Sequence, residues 1–303
     1  MSAPLPARHF FLALLVVAVW GTNFVVIKLG LAHLPPLLFA ALRFAFALLP
    51  AVFFLPRPAV PWRNLAAYGL LIGVGQFGVL YLAMRGHITP GLASLVVQTQ
   101  VFFTIGLAMR GSGEVVRPFQ WAALGLAAAG IVVIGSHTGG SHTGGDTTVA
   151  GVLMVLFAAL SWAGGNIVSR AAGRVNMLAY VVWSSAAAVP PLFLLSWWFE
   201  GGAAIEAGLR QADTVTWASV LWQSVGNTLF GYAAWGWLLA RHPAATITPM
   251  ALLVPVFGMG ASSWWLGESL PAWKLVAAGL VMAGLALNLL WPRWRSRQEN
   301  RSD

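Results

Sequence analysis

The sequence contains no cysteine, and only 8 of its 303 residues are Asp or Glu. The first absence excludes disulfides, thiolate metal sites and a cysteine nucleophile. Charged residues of both signs make up 8% of the chain, where an ordinary soluble domain carries about 25%, so a chain of this length cannot clothe a globule in a wetted surface. No Asp or Glu lies deep in an apolar run, every His falls at the end of a run or in a loop, and no Gly-rich phosphate loop with Lys is present. These gaps argue against an intramembrane enzyme, which needs a nucleophile with its base or a set of metal ligands. They argue equally against direct use of ATP and against a proton relay built on a buried acid.

What is present is apolar: 59% of the residues are hydrophobic. They fall in runs of roughly 20 residues, enough for a helix to cross a bilayer. The runs show no strand alternation. Because lipid offers no partner for backbone groups, such runs imply a helical bundle.

The chain also repeats itself. Gly113-Glu114 is followed by Gly125 and Gly130, and Gly267-Glu268 is followed at the same spacings by Gly279 and Gly284. Gly75-Gln76 with Tyr81 parallels Gly226-Asn227 with Tyr232, and Trp20 with Lys28 parallels Trp162 with Arg170. Shared amides, tryptophans and cations mean more than shared aliphatic residues in so biased a composition. Two copies with an odd number of spans each lie in opposite orientations, the arrangement of secondary transporters with a central site between the repeats.

Ten spans are expected, near Phe10 to Gly30, Leu34 to Leu55, Leu65 to Met84, Pro90 to Met109, Phe119 to Gly135, Val149 to Ser169, Met177 to Phe199, Thr216 to Ala240, Ala244 to Leu266 and Ala272 to Trp291. The fold class is an all-α polytopic membrane protein of two inverted five-helix repeats: residues 1–136 form the first, 137–148 an extracellular linker, 149–292 the second, and 293–303 a basic cytoplasmic tail. With both termini cytoplasmic, Arg8, Arg57, Arg63, Arg110, Arg117, Arg170, Arg174, Arg241 and the tail arginines are inside, against Lys28, Arg85, Arg210 and Lys274 outside. That bias follows the positive-inside rule. It accounts for the net charge of +9 through topology and anionic lipid, without nucleic acid. The first apolar run is too long for a cleavable signal and reads as the first span. In the linker, His137 and His142 sit in a tandem Ser-His-Thr-Gly-Gly repeat; paired glycines give metal ligands no rigid geometry, and a flexible connection is the better reading. Short loops point to a bacterial inner membrane.

Polar and aromatic groups well inside spans are the candidate substrate-binding residues, because a polar side chain in lipid must pair or face a wet cavity. They are Trp20, Asn23, Arg43, Gln76, Tyr81, Gln98, Trp162, Asn166, Asn227 and Tyr232, placed near the bilayer midplane between the first, third and fourth spans and their counterparts. Each also fits interhelical glue at about 1 kcal/mol, and Trp20 and Trp162, expected to approach each other across the two-fold axis, fit ordinary packing too. Arg43 lies about nine residues into its span, roughly 13 Å deep, where insertion costs about 2.5–3.5 kcal/mol. It holds a substrate carboxylate or knits helices through backbone carbonyls. Glu114 and Glu268 read as caps for the next helix start.

Trp20-Gly21-Thr22-Asn23-Phe24, Arg43-Phe44, Tyr81-Leu82-Ala83 and the two Gly-Glu elements together resemble the drug/metabolite transporter superfamily, specifically the ten-helix EamA family. The stretch from Gly91 to Phe103, with Gln98 and Gln100, is similar to the amino-acid exporters within it, such as the aromatic amino-acid type. Pro255 keeps a family proline whose counterpart in the fourth span is Gln100, so the two halves need not bend alike. The resemblance implies export of small amino acids, hydrophobic and aromatic ones included, with the bilayer as surroundings and neither a cofactor nor an obligatory protein partner. With no buried acid visible, facilitated transport by alternating access is expected. Export of nucleosides, sugars or drugs, with or without proton coupling, is the alternative.

Overall fold

A computed structural model of the chain describes residues 5–112, 117–138 and 147–302, and these form helices joined by short turns. The spans are α1 (Ala7–Gly30), α2 (Pro36–Phe53), α3 (Trp62–Met84), α4 (Pro90–Met109), α5 (Pro118–Ser136), α6 (Val149–Ala171), α7 (Met177–Glu200), α8 (residues 214–241), α9 (Thr248–Leu266) and α10 (Ala272–Ser302). Local chemistry sets their ends. Pro36, Pro90 and Pro118 occupy first turns, where a missing N–H is no loss. Thr148, Asn176 and Asp213 cap α6, α7 and α8 with side-chain oxygens, and Gly267, at φ 66°, ends α9 in the left-handed conformation that favours glycine.

Among the described residues nine helices are long and apolar enough to cross a membrane. The sequence leads to an expectation of ten. The difference is α8, which is helical throughout but carries Gln223, Ser224, Asn227 and Thr228 in its middle, and so lacks a sufficiently apolar window. A short helix, Gly202–Gln211, follows α7 outside the spans and has no counterpart among the ten expected.

Helix contacts repeat between the halves. α5 lies against α10 and α2 against α7, each beside its own counterpart, while the α1–α9 contact is matched by α4–α6. The repeated glycines explain part of this. A Cβ on Gly130 would stand 2.9 Å from the Ala277 carbonyl, and one on Gly284 would stand 2.5 Å from the Ala123 carbonyl, so both glycines let α5 and α10 approach closely. Gly125 and Gly279 have nothing within 4 Å. Of each repeated glycine pair, only the second is a contact residue among the described neighbours.

One of the two Gly-Glu elements departs from expectation. Glu114 lies outside the described residues. Glu268 does not cap α10, the next helix; it reaches α4, taking hydrogen bonds from the Gly91 backbone N–H (2.9 Å), Thr89, Ser262 and Lys274 Nζ (2.9 Å). Lys274, counted among the outside cations, is buried in this ion pair. Glu200 makes a matching cap on α2, accepting the N–H groups of Leu37 (2.7 Å) and Leu38 (3.1 Å). Apolar side chains exposed on the bundle's outside, with Trp62, Trp197, Trp198, Trp264 and Trp265 near helix ends, suit a lipid surround with interfacial aromatic belts.

Candidate functional site

Two spans lose regular α geometry in their middles. α3 is π-helical over Leu70–Gly78 and α8 over Trp222–Phe230, so each places its Gly-amide pair, Gly75-Gln76 or Gly226-Asn227, within widened backbone. π-Helical turns are rare and favour functional positions. α4 tightens to 3₁₀ geometry over Val97–Thr99, and α9 opens with a 3₁₀ turn at Thr248–Leu253. Interrupted helices in matching places of the two halves mark the binding region of many secondary transporters.

Between these segments lies a cavity of about 520 Å³, within the range of small-molecule sites. Trp20, Phe24, Tyr68, Phe77, Trp162, Tyr232 and Trp235 supply aromatic surface, and Asn23, Gln76, Gln98, Gln100, Asn166 and Asn227 supply amides. No Asp, Glu, Lys, Arg or His among the described residues lines it. It runs from the bundle's middle toward the end that carries Arg57, Arg117, Arg170 and Arg241, reaching Ser169, Met177, Leu239 and Leu289. The Glu200 and Glu268 caps sit at the opposite end.

Eight of the ten sequence candidates, Trp20, Asn23, Gln76, Gln98, Trp162, Asn166, Asn227 and Tyr232, line this cavity. Trp20 is fixed by a hydrogen bond from its Nε1 to the Asn227 carbonyl (3.2 Å) and by ring contacts with Tyr232 and Trp235; its aromatic partners do not include Trp162. Asn166 donates to Gln100 Oε1 (2.9 Å) and Thr104 Oγ1 (3.2 Å), linking α6 to α4.

Arg43 and Tyr81 do not line the cavity. Arg43 is 1% exposed. Its guanidinium lies 3.5 Å from the centroid of the Phe77 ring, a cavity wall, and thus behind that wall. Its Nη1 donates to Tyr81 Oη (3.3 Å) and its Nη2 to Thr228 Oγ1 (3.1 Å). Arg43 therefore knits α2, α3 and α8, though through side-chain oxygens and an aromatic face where the expectation was backbone carbonyls. Tyr81 in turn donates to Gln223 Oε1 (3.0 Å), and Gln223 Nε2 donates to Asn23 Oδ1 (2.7 Å).

Tyr68, Gln100, Gln223 and Trp235 were not among the candidates. Gln100 and Gln223 meet the criterion already applied, an amide inside an apolar run, so the signal was available. Tyr68 and Trp235 sit where an interfacial belt would also place them, and their inward direction has no signature in the sequence.

Comparison with known proteins shows the family. Residues 8–136 and 149–290 each match the EamA-like transporter family. The chain is 42% identical over 289 residues to a probable amino-acid metabolite efflux pump of Salmonella typhimurium, covering 94% of this chain and 96% of that protein. It is 40% identical to a protein of the same description from Escherichia coli, covering 94% and 95%. A probable terminal-alkyne amino-acid exporter of Streptantibioticus cattleyicolor is 27% identical, with 90% of each chain covered. A protein crystal structure, 19% identical, superposes with a TM-score of 0.64 over 94% of this chain and 96% of that one, a likeness that shows the fold alone. The chain is a multi-pass membrane transporter and belongs to the EamA-like transporter family.

Proposed function

We propose that this protein exports neutral amino acids, hydrophobic and aromatic ones included, by alternating access across the bacterial inner membrane. The observation that carries this reading is the cavity wall: aromatic faces beside amides, with no ionised side chain among the described lining residues. Aromatic faces take an apolar side chain by stacking. Amides serve a net-neutral head group, whereas a lone anionic or cationic substrate in a low-dielectric cavity calls for a counter-charge. Two relatives described as amino-acid metabolite efflux pumps support the same class.

Both termini are cytoplasmic in this proposal, so the cavity runs toward the cytoplasm and the Glu200 and Glu268 caps close the outer end. Transport is facilitated and follows the outward amino-acid gradient. Glu268 supports this: burial by itself would raise its carboxyl, but hydrogen bonds from Ser262, Thr89, Lys274 and the Gly91 amide outweigh burial and hold it below the usual carboxylate value. A carboxylate so held stays ionised near neutrality and is no proton carrier there.

Two experiments test the reading. Purified protein in liposomes is given labelled leucine, phenylalanine, uridine and glucose under an imposed pH gradient. Entry of the amino acids to simple equilibrium agrees; preference for uridine or glucose, or accumulation abolished by a protonophore, contradicts the substrate class or the coupling respectively. Single cysteines at Ser141 and Ser302 of this cysteine-free chain test topology, and labelling of both from the same side contradicts the inverted arrangement.

A further inference from the structure

The direction of one hydrogen-bond chain is fixed at its buried end by Arg43, whose guanidinium can only donate. Tyr81 Oη accepts from Arg43 Nη1 and gives its own proton to Gln223 Oε1. With that oxygen engaged, Gln223 turns Nε2 to Asn23 and donates to its Oδ1 at 2.7 Å. Oxygen and nitrogen of an amide are alike in shape, yet here the orientation of each follows from a donor that cannot accept. Asn23 therefore ends the chain with its oxygen turned into the protein, and Nδ2, a pure donor, is its remaining polar atom in a side chain that lines the cavity.

Gln76 supplies the complement. It lines the same cavity from α3, is 4% exposed, and its Oε1 is buried with no donor. A buried acceptor left unmet is costly and rare in native structures, and a ligand's N–H group is one means of meeting it.

We propose that Asn23 and Gln76 read the two poles of a zwitterion: Asn23 Nδ2 donates to the α-carboxylate and Gln76 Oε1 accepts from the α-ammonium. The ligand class is then an α-amino acid with both groups free, and decarboxylated amines and N-acyl derivatives are excluded. This rests on the amino-acid reading of the cavity. Arg43 is a positioning residue at the buried end of the chain, and Gln223 is the relay that turns Asn23.

The test uses the native chain in liposomes with labelled L-phenylalanine and L-leucine, and unlabelled phenethylamine and N-acetyl-L-phenylalanine as competitors. Each analogue is expected to compete at least about tenfold more weakly than phenylalanine, the size of one hydrogen bond to a charged group. Asn23→Asp keeps the Oδ1 that Gln223 holds while replacing the outward donor with a carboxylate oxygen. At pH 8 it should lower phenylalanine exchange about tenfold or more and make phenethylamine the better competitor. Gln76→Met keeps the volume and removes the acceptor, so preference for phenylalanine over its N-acetyl derivative should shrink to within about twofold. If folded Asn23→Asp retains the native preference for phenylalanine over phenethylamine, the inference is overturned. Should that variant fail to fold, as judged by gel filtration, the native competition and Gln76→Met decide, and equal competition by the analogues overturns it. A native chain that exchanges neither phenylalanine nor leucine refutes the amino-acid reading itself, a result distinct from altered selectivity in a working transporter.

Discussion

Glu268 accepts the backbone N–H of Gly91 at 2.9 Å, so a carboxylate from the turn before α10 caps the first turn of α4 in the other half of the chain. Lys274 completes a buried pair, with side chains 6% exposed for Glu268 and 4% for Lys274. Glu200 treats the start of α2 in the same way. Carboxylates at helix N-termini satisfy otherwise unpaired N–H groups and meet the positive end of the helix dipole. Because each cap joins the two halves, the pair forms a latch at the end away from the cavity's reach.

Glu268→Gln leaves Lys274 buried without its counter-charge. Loss of one member of a buried pair costs about 3–5 kcal/mol, and the expected result is a marked fall in thermal midpoint in detergent. The carboxyl is held below its ordinary value of 4.5, so its stabilisation is present above that value and lost as pH falls through the lower folded value. A scan from pH 7 to pH 3 should show an acid-dependent fall in the native midpoint that is smaller in Glu268→Gln; identical pH profiles would contradict the latch.

The repeated glycines give a matched set. Gly130→Leu and Gly284→Leu force side chains into backbone carbonyls of the facing helix and should reduce folded yield sharply. Gly125→Leu and Gly279→Leu, with nothing within 4 Å of the added carbon, should leave yield within about twofold of native, since substitutions away from packed features change stability by roughly 0.5 kcal/mol or less. Fluorescence-detected gel filtration of the four variants decides. Equal behaviour of all four would remove the glycine explanation of the α5–α10 contact.

Arg43→Gln should destabilise the protein, because the guanidinium joins three helices behind Phe77, and should weaken transport of phenylalanine more than that of its amide, because Asn23 loses the donor chain that turns its Nδ2 to the carboxylate. Relative exchange rates for phenylalanine and its amide measure this. Equal losses for both would leave Arg43 a packing role alone and contradict its positioning of Asn23.

Much of this arrangement is legible in sequence because lipid simplifies the code. Apolar length finds spans, and an amide inside one, such as Gln76 or Asn227, must face a partner or a cavity. The depth of Arg43 is legible for the same reason, but its neighbours are not: Tyr81 and Thr228 come from other helices, 38 and 185 residues away. Lys274 shows the limit most plainly. Its place at the start of a span says nothing of burial, and only the meeting of Glu268 with the start of α4 reveals it as a buried partner. The π-helical segments at Gln76 and Asn227 share no signature in composition, since the first is almost wholly apolar and the second carries Gln223, Ser224, Asn227 and Thr228.

If neutral amino acids exchange through the aromatic and amide cavity, unlabelled amino acid on one side drives entry of label from the other. Liposomes holding the native protein and loaded with unlabelled phenylalanine or leucine are diluted into labelled phenylalanine at equal pH on both sides. A transient overshoot of label above equilibrium is expected, absent from liposomes loaded with uridine or glucose and reduced several-fold by Trp20→Ala and Gln98→Ala in folded protein. Uptake indifferent to the amino acid inside, or stimulated equally by uridine or glucose, would contradict it.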